Sequence, residues 1–87
     1  MATATPSPTP NPDAIKYTLN VTFPAMATFT TVEAAESEGN HFAAAVLQTE
    51  GVASVFATAN FVTVTRRPGA DWPRITAAVQ TAAAEHL

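Results

Sequence analysis

Two runs of β-branched and aromatic residues, separated by three residues, constrain the fold of this chain most strongly. The runs are Val52–Ala57 and Phe61–Arg66, and their composition is typical of strands. Asn60, in the short link between them, can take the left-handed backbone conformation that a three-residue hairpin loop needs. The sequence therefore predicts a β-hairpin at this point of the chain.

An earlier stretch alternates between apolar and polar residues. Ile15, Tyr17 and Leu19 point one way in an extended chain while their neighbours point the other way, which is typical of a half-buried strand. Residues 20–26, which include a proline, are predicted to turn into a second strand over Ala27–Thr30. We therefore predict a hairpin in the N-terminal half as well.

Capping residues and helical spacing predict two helices. Asn40 is a favourable N-cap for a helix over residues 41–50, which ends at Gly51. Asp71 is predicted to cap a second helix with Pro73 in its first turn, where the missing N–H group costs nothing. The resulting order predicts an α+β fold, a two-layer sandwich in which a four-stranded antiparallel sheet carries two helices on one face (ββαββα).

Two further segments are predicted to lie outside this framework. Residues 1–8 belong to a proline-rich stretch, and we predict a flexible, solvated arm that precedes a domain over residues 9–87. Residues 33–38 are acidic, and we predict a short turn that Thr30 caps and in which Glu33 reaches back to the cap.

Composition excludes several classes of function. The chain has no cysteine, so it cannot by itself hold an iron–sulfur cluster or most structural zinc sites. Its four basic and seven acidic residues give a net charge of −3, which leaves no surface to neutralise a run of phosphates, and we expect no nucleic-acid partner. The longest aliphatic run, Ala43–Leu47, is far shorter than the roughly 20 residues of a membrane helix. Since no leader is visible in the sequence, we expect a soluble, cytoplasmic protein.

The two histidines are the candidates for a metal site. His41 follows Glu38 by three residues, and His86 lies near the end of the last predicted helix. Imidazole and carboxylate groups are metal ligands, but an exposed position at a helix start among solvated acids explains His41 more simply. Interaction with the helix C-terminus and partial burial explain His86 in the same way. The two histidines could share an ion only if the first turn of one helix met the last turn of the other.

The sequence offers no constellation of residues that points to catalysis. No serine lies in a strand-to-helix elbow such as G-x-S-x-G, and Ser54 falls in the middle of a predicted strand. The acidic residues cluster on one loop and at helix ends, where capping and solubility explain them. We therefore expect that the protein is not an enzyme and that this chain alone binds no cofactor.

Five residues are candidates for binding a protein partner. Lys16, Arg66 and Arg67 are three of the four basic residues and could bind the carboxylates of an acidic segment. Phe56 follows a valine in the same strand, so one of these neighbours must face away from the core, and an outward phenylalanine could form part of a binding patch. Asn11 lies in the proline-rich entry to the first strand and could present a polar contact.

Three stretches of the chain coincide with the motifs of a known family. Thr9–Tyr17 resembles the opening Thr-Pro-Asn-Pro-Asn-x-Leu-Lys-Phe of that family, and Glu50–Phe56 resembles its Glu-Gly-Val-x-x-Val-Phe strand start. Phe61–Thr65, followed by Asp71 and Trp72, resembles its Phe-Ile-Thr-Val-Thr strand and helix-opening tryptophan. The chain thus resembles, from about Thr9 to its last residue, the N-terminal domain of Nfu/NifU-type iron–sulfur cluster scaffold proteins.

The resemblance implies an accessory function rather than cluster carriage. The scaffolds of this family carry a second domain whose Cys-x-x-Cys pair binds the cluster, and this sequence has no cysteine. Asn40 and His41 stand where the family usually has Ser-Pro at the start of the first long helix. The resemblance therefore implies a non-catalytic module of iron–sulfur cluster assembly that recognises a cysteine-bearing scaffold, carrier or apo-protein client, with the cluster on that partner.

Two other functions stay open at this stage. One is a small metal-binding domain that uses His41, His86 and the acidic turn. The other is a homo-oligomeric structural module that pairs through the helix-free face of its sheet, and we expect a monomer or a weak homodimer.

Overall fold

Five antiparallel strands form one sheet in the computed structural model, which describes residues 2–23 and 25–87. The strands are β1 (Ala4–Pro8), β2 (Ala14–Leu19), β3 (Ala27–Phe29), β4 (Val52–Thr58) and β5 (Phe61–Arg66), and the helices are α1 (Val32–Ser37), α2 (His41–Leu47) and α3 (Trp72–His86). The strand order across the sheet is β1-β2-β5-β4-β3. The predicted α+β class is confirmed, whereas the predicted count is wrong, because the described residues form five strands and three helices rather than four and two.

The fifth strand is β1, in the segment that the sequence analysis expects to be a solvated arm. It pairs antiparallel with β2, with Pro6 opposite Tyr17 and Pro8 opposite Ile15. Prolines two positions apart share one side of a strand, and an edge strand tolerates proline where the ring nitrogen faces away from the ladder. Polyproline-like and β backbones are both extended. The alternating prolines are therefore compatible with an edge strand, and the expectation of a free arm is corrected.

The predicted N-terminal hairpin does not form in the described residues, because β2 and β3 do not pair with each other. β2 lies between β1 and β5, while β3 pairs with β4 at the opposite edge. The connection crosses the β4–β5 turn, where Leu19 N–H donates to the Asn60 carbonyl and Phe23 N–H to the Ala59 carbonyl, both at 2.7 Å. Pro24, the proline in this connection, lies outside the described residues. Periodicity identifies strands but not their partners, which is why the predicted pairing is wrong.

The C-terminal hairpin is confirmed, with a tighter turn than predicted. Only two residues separate β4 from β5, and Ala59 rather than Asn60 takes the left-handed conformation, at φ = 48°. A shift of register between Val52 and Ser54 marks a bulge in β4. The bulge allows Val52 and Val55 both to be buried on the same face.

The helices begin close to the predicted positions, and their ends and caps differ in detail. α1 occupies the acidic segment predicted to be a turn, because its Glu and Ala residues are strong helix formers, and its cap is Thr31 rather than the preceding threonine. α2 follows Asn40 as predicted and ends at Leu47 rather than at residue 50. Asp71 occupies the N-cap position of α3, but its side chain makes no capping hydrogen bond. None of the helices in the described part of the chain has the length and hydropathy to cross a membrane.

The three helices pack against one face of the sheet and enclose the hydrophobic core. The largest fully buried side chains come from β2, β4, β5, α2 and α3: Tyr17, Phe42, Val46, Val55, Val62, Val64, Ile75 and Val79. The Tyr17 hydroxyl lies 2.9 Å from Thr76 Oγ1 on α3. This hydrogen bond joins the middle of the sheet to the longest helix.

Deletion of residues 1–8 tests whether β1 is part of the domain. Ala2 and Ala4 are only 4% and 6% exposed, and the Gln80 side chain of α3 donates to the Ala4 carbonyl at 3.3 Å. We expect the deletion to lower the free energy of unfolding by at least about 2 kcal/mol, because it removes several hydrogen bonds worth about 1 kcal/mol each. Urea denaturation of the two chains measures this difference, and an unchanged midpoint would show that the segment is a free arm.

Alkaline unfolding tests the environment of Tyr17. Burial raises the pKa of its hydroxyl above the ordinary value of 10.0, and the hydrogen bond with Thr76 offsets part of that rise. As the pH rises, the Tyr17 hydroxyl therefore loses its proton in the unfolded chain before it does so in the folded chain. The stability that the buried, protonated hydroxyl contributes is complete below about pH 10 and is lost as the pH rises toward the pKa of the folded state.

We expect Tyr17→Phe to lower stability at pH 7 by about 1 kcal/mol, because the hydrogen bond is lost. The variant should also show a shallower decline of stability above pH 10 than the unaltered chain. Urea denaturation between pH 7 and 11 compares the two. Equal alkaline slopes would contradict the assignment of this decline to Tyr17.

Candidate partner-binding face

The strand residues that alternate with the buried ones form the face of the sheet opposite the helices. One row of cross-strand neighbours runs over all five strands in the order Ser7, Lys16, Thr63, Phe56 and Thr28. The next row holds Thr5, Thr18, Phe61 and Thr58. We call the surface formed by these residues the helix-free face; every one of them is half-buried or exposed.

Two aromatic side chains and one lysine distinguish the helix-free face from an ordinary polar sheet surface. Phe56 and Phe61 are half-buried on adjacent strands in neighbouring rows. Lys16 Nζ lies 4.4 Å from the centroid of the Phe61 ring, a cation–π geometry. The structure thus brings Lys16 and Phe56, two of the predicted partner-binding residues, onto one face. Sequence reasoning missed Phe61, although its alternation with the buried Val62 indicates that it points outward.

The acidic residues lie outside the strands that form the helix-free face. All seven are in loops or helices: Asp13, Glu33, Glu36, Glu38, Glu50, Asp71 and Glu85. The net charge of −3 is therefore carried elsewhere on the molecule, while the helix-free face has the positive charge of Lys16. The strands of the helix-free face therefore carry no carboxylate of their own that would repel an anionic group.

Arg66, another predicted partner-binding residue, lies on the helix side of the sheet and is engaged within the chain. Its Nε donates to Asp13 Oδ1 at 3.1 Å, and its Nη1 donates to the Ala70 carbonyl at 3.0 Å. Its guanidinium carbon lies 5.3 Å from the centroid of the Trp72 ring. Arg66 therefore joins the β1–β2 loop to the start of α3.

Asn11 and Arg67 lie in loops outside the helix-free face. Asn11 Oδ1 accepts a hydrogen bond from the Asp13 N–H at 2.9 Å, and the Asn11 N–H donates to Thr9 Oγ1 at 3.2 Å. These bonds fold the turn between β1 and β2. Arg67 is exposed after β5 and lines an open cavity of about 410 Å³ together with Glu50, whose charge opposes its own. The five predicted partner-binding residues thus do not form one surface.

The two histidines come together at a different corner of the molecule. The ring centroids of His41 and His86 are 6.4 Å apart, where the start of α2 meets the end of α3. Glu38, the third predicted candidate, lines the same open cavity. Across residues 2–23 and 25–87, no group of three or more His, Asp or Glu side chains is placed to hold a metal ion. The predicted candidates therefore share a corner, and the protein supplies no complete ligand set there.

Comparison with protein families gives a match over almost the whole chain. The model of the family described as "Scaffold protein Nfu/NifU N terminal" matches residues 5–87. The match includes all three helices and every strand, apart from the first residue of β1. A search of curated proteins finds no match.

Solved structures of staphylococcal proteins are similar in fold. The crystal structure of protein SAV1430 from Staphylococcus aureus is 27% identical, with a TM-score of 0.80 over 94% of this chain and 98% of that one. Its solution NMR structure has a TM-score of 0.70 over 94% and 89% of the two chains, at 27% identity. The solution NMR structure of SeR13 from Staphylococcus epidermidis is 22% identical and shows a likeness of fold alone, with a TM-score of 0.64 over 98% of each chain.

Substitution of Arg66 and Arg67, one at a time, tests whether the first has a structural role while the second is merely solvated. We expect Arg66→Leu to lower the free energy of unfolding by about 1–2 kcal/mol, because two hydrogen bonds and the contact with Trp72 are lost. Arg67→Leu removes the same charge and should change stability by less than about 0.5 kcal/mol. Urea denaturation of both variants makes the comparison. Equal losses would show that charge, rather than the contacts of Arg66, accounts for the effect.

Proposed function

Because the chain belongs to the family of Nfu/NifU scaffold N-terminal domains, whose setting is iron–sulfur cluster assembly, we propose that it is a non-catalytic module that binds a cysteine-bearing protein of that process. Scaffold domains of this kind are not a known catalytic family. The chain has no cysteine, so the cluster sits on the partner. The partner we propose is the Cys-x-x-Cys domain of an Nfu/NifU-type scaffold.

The observation that carries this proposal is the composition of the helix-free face. Five strands present a surface without a covering helix, and Phe56 and Phe61 lie near its middle. Aromatic side chains surrounded by polar residues are typical of the centre and rim of a protein interface. The surrounding threonines keep the strands stable without enlarging the exposed apolar area.

Charge supports a partner that carries a thiolate-bound cluster. Cysteine ligands bind metal as anions, and a cluster held by several thiolates is an electron-rich, anionic group. Lys16 lies within the helix-free face, and the acidic residues of the chain lie elsewhere. The face can therefore approach such a site with electrostatic attraction.

An NMR titration of the isotope-labelled chain with the purified Cys-x-x-Cys domain of a scaffold from the same organism tests the proposal. We expect amide shifts on β2, β4 and β5 around Lys16, Phe56 and Phe61, and tighter binding when the domain carries its cluster. The double substitution Lys16→Glu and Phe56→Thr should weaken binding at least about tenfold, because it reverses the charge and removes an aromatic anchor. Thr keeps the strand propensity of the site.

Arg74→Glu is the matched control for charge reversal. Arg74 is on α3, its side chain is 67% exposed, and its contact with Glu50 is long at 3.8 Å, so binding should change by less than about twofold. Unchanged affinity of the double variant, or shifts confined to the helices, would contradict the proposed face. The chain could also fail to bind the Cys-x-x-Cys domain with or without its cluster, and show amide shifts on the same face that grow with its own concentration. That result would replace the proposal with a homo-oligomeric module.

A further inference from the structure

The two histidines of the chain lie side by side, although they come from different helices. His41 is the first residue of α2 and His86 is the last residue of α3, and their ring planes are inclined at 36° with centroids 6.4 Å apart. Both rings line one open cavity of about 270 Å³, and Glu38 forms part of its wall. The packing of α2 on α3 thus brings the first turn of one helix next to the last turn of the other, which is the arrangement that two imidazoles need in order to share an ion.

The backbone beneath His41 is held in place by the fold. Gly39, at φ = 74°, ends the turn after α1, and the Asn40 side chain accepts a main-chain hydrogen bond at 2.9 Å in the first turn of α2. Phe42 is fully buried, and the centroid of its ring lies 6.2 Å from that of Phe23. His41 therefore projects from a turn that the fold holds in place.

The imidazole nitrogens are available for coordination. Within residues 2–23 and 25–87, neither ring makes a hydrogen bond to the protein, and His86 Nε2 lies 4.0 Å from Glu85 Oε2. A neutral imidazole has one nitrogen lone pair that can bind a metal. Two features favour a cation here: His86 lies in the last turn of a helix, and Glu38 adds a negative charge.

We propose that His41 and His86 together bind one borderline divalent transition-metal ion, such as Zn²⁺ or Ni²⁺, with water completing the coordination. Metal–nitrogen distances of about 2.0–2.1 Å require the rings to move slightly closer than they are, and rotation of two exposed side chains provides this. Because the protein supplies two ligands, the site holds its ion in exchange with solvent. Imidazole ligands favour Zn²⁺, Ni²⁺ and Cu²⁺ over Mg²⁺ and Ca²⁺, which prefer oxygen. This site is independent of the helix-free face.

Calorimetric titration of the untagged chain with ZnCl₂ and NiCl₂, together with the NMR signals of the imidazole C–H groups, tests the site. We expect one ion per chain and a shift of both imidazole signals with Zn²⁺. His41→Gln and His86→Gln should each weaken binding at least about tenfold. The double variant should bind no more weakly than either single variant, because one remaining imidazole cannot chelate. Both histidines are exposed, and the amide spectrum of each variant verifies that the fold is retained.

Two acidic residues of α1 and its cap provide a matched pair of controls. Glu38→Gln removes the carboxylate that lines the cavity and should weaken Zn²⁺ binding about threefold, whereas Glu36→Gln removes the same charge elsewhere and should leave it unchanged. A ratio of one ion to two chains would overturn the proposal, since it means that the ion bridges molecules. Single histidine variants that bind within about twofold of the unaltered chain, or competition by Mg²⁺, would overturn it as well.

Discussion

The pairing of β2 with β5 joins the two halves of the chain into one sheet, and the core and the helix-free face both depend on its register. The ladder places Tyr17 opposite Val62 among the buried residues and Lys16 opposite Thr63 on the other face. A shift by one residue would exchange the two faces of β2. It would turn Lys16 toward the core and separate the Tyr17 hydroxyl from Thr76. The packing of the core on the helix side therefore also fixes which residues are exposed on the helix-free face.

The two faces of the sheet differ in composition, and this difference explains how a small domain keeps one sheet surface uncovered. The helix side encloses fully buried apolar side chains, while the helix-free face consists mainly of threonine and serine. β-branched threonine suits a strand without presenting a large apolar surface to water. Phe56 and Phe61 interrupt this polar surface, and Lys16 covers the Phe61 ring. The fold does not require aromatic side chains at Phe56 and Phe61, and such side chains are the ones that an interface would use.

Local sequence patterns predicted most of the elements, because those patterns arise from backbone and solvent preferences near each residue. The strand through Tyr17, the β4–β5 pair and the helix after Asn40 all follow from alternation or capping. What could not be predicted depends on contacts between distant segments. The pairing of β1 with β2, and of β3 with β4 rather than β2, leaves no signal in the strands themselves.

The distinction between local patterns and distant contacts also decides which candidate site residues could be located from the sequence. Lys16 and Phe56 share a face because alternation within each strand, which is local, determines the direction of each side chain. Arg66 is of a residue type that often binds partners, yet its hydrogen-bond partner Asp13 lies far away in sequence. Only the fold shows that the Arg66 side chain is bound within the chain. The histidines show the opposite outcome: neither local setting indicates a site, and the packing of α2 on α3 alone makes His41 and His86 neighbours. Long-range contacts thus decide which candidate residues become neighbours and which are engaged within the chain.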